Sequence, residues 1–209
     1  MPEQSIVTLD VEGVLLPEIW IAVAESTGIA ELRRTTRDEP DYDKLMRLRL
    51  DLLERHGLPM STITEVISGL RPLEGARAFL DELRAHTQVI LLSDTFEQFA
   101  RPLMAQLGWP TLFCHQLVVT ADRIVGYQLR LPDQKREAVR ALKALNYRVV
   151  AAGDSYNDTA MLTEADVGVL FHAPDNVKRD FPQFTALDDY GSLFDHLIAA
   201  VEATGSPAC

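Results

Sequence analysis

Hydrophobic and polar positions recur along the chain with two periods. Short apolar runs rich in branched residues cover 6–9, 89–92, 147–152 and 167–171, the pattern of strands buried on both faces of a mostly parallel sheet. Between them apolar residues return every three or four positions over 74–86, 96–107, 134–145 and 190–203, which predicts amphipathic crossover helices covering that sheet. Residues 117–119 and 124–129 alternate around the polar Asp122-Arg123 and predict a hairpin appended to the sheet. Over 17–72 helical spacing recurs at 19–27, 43–56 and 61–68 without a strand pattern. The expectation is an α/β chain with a doubly wound, mostly parallel sheet. Its core comprises 1–16 and 73–209, and a small helical cap, 17–72, follows the first strand. The cap ends at Arg71-Pro72, where proline restricts the residue before it.

Composition narrows the partners. Thirty-one acidic against twenty basic residues give a net charge of -11, which opposes attraction to nucleic acid or an anionic membrane surface. The sequence starts without a basic region, and no apolar run is long enough to export or span, so the cytoplasm is the expected location. A homodimer is left open. The two cysteines, Cys114 and Cys209, suit neither a disulfide framework nor a zinc ligand set. Cys114 is expected to pack, and 204–209 to fray with no function for Cys209. The five histidines include no pair with metal-ligand spacing and are read as surface or packing residues, and Trp20 and Trp109 as buried area.

Four polar segments end apolar runs. Asp10 and Glu12, in Leu9-Asp10-Val11-Glu12-Gly13-Val14, sit where the first strand leaves the sheet, the edge at which doubly wound folds bind ligands; solvating the turn and capping the next helix would account for them equally well. Gly153-Asp154-Ser155-Tyr156-Asn157-Asp158 reaches the same edge. Helix capping explains one of its polar groups rather than four, and converging hard oxygen donors suit Mg2+. Ser93-Asp94-Thr95 ends a third strand and would form an anion site with the free amides of the following helix, or simply cap it. Lys135 opens a helix, where a cation opposes the helix dipole; a bound phosphate would offset that cost.

In combination and order these segments resemble the haloacid dehalogenase superfamily in its phosphatase branch, and the resemblance spans nearly the whole chain. It implies a Rossmann-like core, with Asp10 as nucleophile, Ser93 as phosphate-binding hydroxyl, Lys135 as phosphate-binding lysine, and Asp154, Asn157 and Asp158 as the acidic metal loop. The implied reaction is a two-step phosphoryl displacement through an aspartyl phosphate, with Glu12 as acid and base. The implied Mg2+ ligands are Asp10, the main-chain carbonyl of Glu12, and Asp154.

Two departures refine the resemblance. Glu12 stands where the superfamily usually has aspartate, which moves the carboxyl by about one carbon–carbon bond and bears on whether water or another hydroxyl accepts the phosphate; a conservative retuning is the other reading. Ser93-Asp94-Thr95-Phe96 replaces a glycine-containing segment. With Pro17-Glu18-Ile19-Trp20 and the Gly153–Asp158 loop, these features look like the subfamily that contains phosphoserine:homoserine phosphotransferases. Glu18 and Arg49 fall where such enzymes hold the ammonium and carboxylate of an amino-acid phosphate, with Asp94, Thr95 and Asn157 also beside the substrate. Arg47 competes with Arg49, since only one of them can face a pocket on a helix. Met46 could line that pocket or pack. The implied substrates are O-phospho-L-serine with L-homoserine or water. Rival readings are a plain phosphatase of phosphoserine or another small phosphomonoester and, outside enzymes, a receiver-like phosphoacceptor module.

Overall fold

The computed structural model describes residues 4–36, 38–39 and 41–203; the expected fraying of 204–209 lies outside them. Seven strands form one sheet: β1 (Gln4–Leu9), β2 (Gln88–Phe96), β3 (Thr111–Thr120), β4 (Arg123–Gln128), β5 (Tyr147–Gly153), β6 (Val167–Phe171) and β7 (Thr185–Leu187). Their order is β4-β3-β2-β1-β5-β6-β7, and every pair is parallel except β3 with β4. From the central β1 the chain moves outward to one side and then, from β5, to the other. The carboxyl ends of β1, β2 and β5 therefore flank the crevice where the winding reverses.

Alternation along the strands feeds two apolar layers. Val7 and Leu9 of β1, Leu91 of β2 and Val150 and Ala152 of β5 join one layer, while Ile6, Leu92, Val149 and Ala151 join the other. The first layer is closed by α4 (Ala76–His86), α5 (Glu97–Gln106) and α9 (Tyr190–Glu202), and the second by α6 (Gln134–Ala144), α7 (Thr159–Glu164) and α8 (Asp175–Asp180). None of the described helices is long and apolar enough to cross a membrane.

Between β1 and α4 lie α1 (Ile19–Thr27), α2 (Tyr42–Arg55), α3 (Met60–Gly69) and a 3-10 turn at Ala30–Arg33. Their apolar faces, including Leu32, Met46, Leu52, Ile63 and Ile67, belong to the same continuous cluster as Val7 and Leu9. Trp20 of α1 packs edge-on against Phe99 of α5 at 5.4 Å, and Phe99 packs edge-on against Phe96 at 5.7 Å. Among the described residues the helical segment therefore has no core separate from that of the sheet.

Several elements differ from the sequence expectation. Strand β2 runs on through Ser93-Asp94-Thr95 to Phe96, and α5 starts only at Glu97, because Phe96 keeps an extended backbone and pairs with His115. Strand β3 starts at Thr111, so Cys114 and His115 lie within the sheet, and the hairpin turns at Ala121 and Asp122, both with positive φ. The short α8 and the edge strand β7 have too few residues to show a period, whereas α7 occupies the helical stretch expected after the Gly153–Asp158 loop. Trp109 is 62% exposed rather than buried, because it sits at φ 53° in the turn leaving α5.

Phe99→Ala removes the ring that joins α1 to α5 and is expected to cost about 3–5 kcal/mol, read as a shift of one cooperative thermal transition. Two separated transitions would show that the helical segment folds independently.

Candidate active site

The loop after β1 extends the ladder by one bond, Asp10 N–H donating to the Ala152 carbonyl at 2.9 Å, and then turns sharply, with Leu15 and Leu16 N–H both returning to the Val11 carbonyl. Gly13 makes this turn possible. Its φ is +82°, and a Cβ there would stand 2.5 Å from the Asp154 carboxylate. Gly153, at the end of β5, is in similar contact with Asp158, whose side chain an added Cβ would meet at 2.5 Å. Gly13 lets the β1 loop close against Asp154 of the neighbouring loop, and Gly153 lets the β5 loop fold back on its own Asp158.

At the resulting junction Lys135, from the first turn of α6, is buried with its ammonium 2.9 Å from Asp10 and 2.7 Å from Asp158. Asp158 is fully engaged: its other oxygen accepts the N–H groups of Asp154 at 2.9 Å and Ser155 at 3.1 Å. The carboxylates of Asp10, Asp154 and Asp158 each bring an oxygen to within 4.8 Å of the others, and all three are buried. Burial pushes the Asp10 carboxyl well above its ordinary range, Asp158 adds to this, Lys135 opposes it, and Asp154 raises it further. For Lys135 burial acts against the charge, but Asp10, Asp158 and Asp94 outweigh it and hold the group as an ammonium. Three carboxylates against one ammonium leave an excess of negative charge among hard oxygen donors, a donor set that fits a small divalent cation.

The rest of the cavity comes from β2, the start of α6 and the helical segment. Ser93 is buried, its Oγ accepting the Thr95 N–H at 3.2 Å, and Gln134 donates to the Ser93 carbonyl. Asn157 donates to Asp94 at 3.2 Å, and Tyr42, on the first turn of α2, donates its hydroxyl to the Asp94 carbonyl at 2.8 Å. Lys135 and then His115 and Asn157 hold the Asp94 carboxyl well below the usual range, against the effect of burial. Glu12 accepts the Ile19 N–H at 2.9 Å. Burial first, then the nearby Glu18, pushes its pKa up to about 7, with the Ile19 N–H, Arg49 and Thr95 opposing. A carboxyl that titrates near neutrality is suited to proton transfer.

Arg49 is buried on α2 and Arg47 is exposed. The Arg49 guanidinium lies 4.6 Å over the Trp20 ring and donates to the Arg34 carbonyl at 2.9 Å, while its Nε has no hydrogen-bond partner. Burial lowers its pKa to about 10, with Tyr42, Glu12 and Glu18 holding the charge. Met46, one turn earlier, is wholly buried and touches Arg49 through its sulfur at 3.7 Å rather than lining the cavity.

One cavity of about 70 Å³ is lined by Asp10, Glu12, Glu18, Arg49, Ser93, Asp94, Thr95, Lys135, Asp154 and Asn157, while Asp158 of the expected metal loop is not on its wall and is bonded to Lys135. Tyr42, Thr35 and Thr36 also line it. Thr35 and Thr36 stand outside any periodic stretch, and Tyr42 lies one residue before the spacing predicted for its helix. His172 does not join the site: at φ 53° its ring stacks on Phe171 and bonds the Asp188 carbonyl.

Residues 5–166 match the haloacid dehalogenase-like hydrolase family. The chain is 60% identical over 197 residues, 94% of its length and 83% of the relative's, to a phosphoserine phosphatase of Pseudomonas syringae pv. tomato. It is 61% identical over 190 residues, 90% of its length and 93% of the relative's, to phosphoserine phosphatase ThrH of Pseudomonas aeruginosa. Among solved structures, a phospho-aspartyl intermediate analogue of phosphoserine phosphatase shares the fold with a TM-score of 0.77 at 20% identity, over 93% of this chain and 99% of that one. A substrate-bound phosphoserine phosphatase complex matches with a TM-score of 0.75 at 20% identity, over 91% and 95%. A hydrolase family with this fold is incompatible with a receiver-like phosphoacceptor module. The chain belongs to the haloacid dehalogenase-like hydrolases.

Proposed function

We propose that the protein is a Mg2+-dependent phosphoserine phosphatase that also transfers the phosphate of O-phospho-L-serine to L-homoserine, with residues 17–72 as a cap over the catalytic core. The observation that carries the substrate is Arg49: a buried guanidinium with an unpaired Nε, in the same cavity as Asp10, with Glu18 on the cavity wall. A fork of N–H donors suits the substrate's carboxylate, and Glu18 suits its ammonium. The two relatives at 60% and 61% identity, both phosphoserine phosphatases by name, support the same substrate. A cytoplasmic location suits such a small-molecule enzyme.

In the first step an Asp10 carboxylate oxygen attacks phosphorus, the bond from phosphorus to the serine oxygen breaks, and Glu12 gives that oxygen its proton. Lys135 and the Ser93 hydroxyl face the charge that spreads over the equatorial oxygens, with Asn157 beside them. In the second step the hydroxyl of homoserine, or water, loses its proton to Glu12 and attacks the same phosphorus, and the aspartyl oxygen leaves. Asp10, Asp154 and the Glu12 main-chain carbonyl would hold Mg2+, which supplies the positive charge that the phosphate and the carboxylates need in order to meet. Asp158 keeps the Asp154 loop in place through one carboxylate oxygen that accepts the N–H groups of Asp154 and Ser155.

Incubated with Mg2+ and O-phospho-L-serine, the protein is expected to release phosphate and, with homoserine added, to form homoserine phosphate without ATP. Asp10→Asn should lower both rates by at least about a thousand-fold while leaving the thermal transition in place. Loss of neither reaction in that variant would remove the covalent mechanism. Arg49→Ala is expected to weaken use of phosphoserine by about 2 kcal/mol or more, ~30-fold, and to spare p-nitrophenyl phosphate. Equal losses on both substrates would contradict a carboxylate role for Arg49.

A further inference from the structure

Asp94 poses a physical problem, because a carboxylate facing a phosphate site repels the group the site must hold. Its surroundings resolve it. Oδ1 lies 3.5 Å from His115 Nε2, and Oδ2 lies 3.7 Å from Lys135 Nζ while accepting from Asn157. His115 is 3% exposed, and its Nδ1 accepts the Arg130 N–H at 3.1 Å. A ring nitrogen that accepts a backbone N–H carries no proton, so the neutral imidazole carries its proton on Nε2, directed at Asp94. The exit of the β4 strand therefore sets the tautomer that holds Asp94.

Lys135 meets its other two carboxylates, Asp10 and Asp158, at shorter distance. Asp94 adds a third, longer contact of 3.7 Å on the side of Asn157 to an ammonium that is bonded to Asp10 and Asp158, and so gives it a counter-charge facing the phosphate site. Tyr42 adds a tie from the helical segment, its hydroxyl on the Asp94 carbonyl and its ring centroid 5.9 Å from that of His115.

We propose that Asp94 and His115 are a positioning pair: His115 fixes the Asp94 carboxylate, and Asp94 sets Lys135 and Asn157 for the phosphate without touching the substrate. The inference rests on the phosphoenzyme reading of Asp10 and Lys135 but not on the identity of the amino acid. His115 has the character of an outer partner that orients an inner ligand, and loss of such partners typically costs about 10- to 100-fold.

The test is a double-mutant cycle with Asp94→Asn and His115→Phe, followed on phosphoserine and on p-nitrophenyl phosphate. Each single variant is expected to lower kcat at least about ten-fold on both substrates, with KM for phosphoserine changed less than about three-fold. The double variant is expected to lose no more than the worse single one. His115→Gln, whose terminal amide reaches the place of the imidazole Nε2, is expected to recover most of the rate. A rise in KM confined to phosphoserine would mean that Asp94 binds the substrate directly. Multiplied losses in the double variant, or a His115→Gln no better than His115→Phe, would equally overturn the proposal. Should His115→Phe not fold, Asp94→Asn decides alone through the same split of kcat from KM. If the unaltered protein hydrolyses p-nitrophenyl phosphate but not phosphoserine, the substrate assignment fails while the cycle still judges the pair.

Discussion

A buried ammonium held among carboxylates is the constraint around which the rest is arranged. Lys135 reaches Asp10 and Asp158 at hydrogen-bond distance in a buried sheet edge, where unpaired charge is costly and paired charge interacts strongly. The groups come from the end of β1, the β5 loop and α6, so the cluster exists only when β1 lies beside β5. Gly13 and Gly153 allow the loops to approach closely enough, since a side chain at either position would occupy the space of a carboxylate. The acids still outnumber the lysine, which makes the edge receptive to a cation and, through it, to a phosphate.

The helical segment completes the cavity. It shares the main core, and its Arg49, Glu18 and Tyr42 face the acids of the sheet edge. Further ties pass to the hairpin: the Met60 N–H donates to the Asp122 carbonyl at 2.7 Å, Ser61 bonds the Asp122 carboxylate, and Tyr127 donates to Asp43. Packing that fixes these helices is therefore the same packing that sets the walls of the site.

Much of this was legible in the sequence, for a physical reason. Strands buried on both faces give continuous apolar runs, and the residues that end them at the carboxyl edge stand out as polar clusters, which is why Asp10, Ser93 and Asp154 could be named. Arg49 could be preferred to Arg47, although the helical period alone leaves that choice open; burial separates them. His115 left no such mark. It is a lone histidine in a strand whose first residues follow Trp109-Pro110, and its partners, Asp94 and the Arg130 N–H, are distant or belong to the backbone. The alternation of buried His115 and Leu117 with exposed Gln116 was the one available signal. Tyr42 was hidden similarly, because its partner is a main-chain carbonyl 52 residues away.

In the proposed reaction Glu12 bears on what becomes of the phosphate once Asp10 carries it. Its carboxyl, raised to about 7 and tied to Ile19 N–H, is placed to serve as acid for one hydroxyl and base for the next. Everything in this account passes through the covalent step on Asp10. The most direct measurement is a rapid acid quench of a single turnover with 32P-labelled phosphoserine, the labelled peptide being located by mass spectrometry. Label that appears transiently on Asp10 and disappears faster when homoserine is added agrees with the account. Label that never becomes protein-bound, or that resides on another residue, would contradict it.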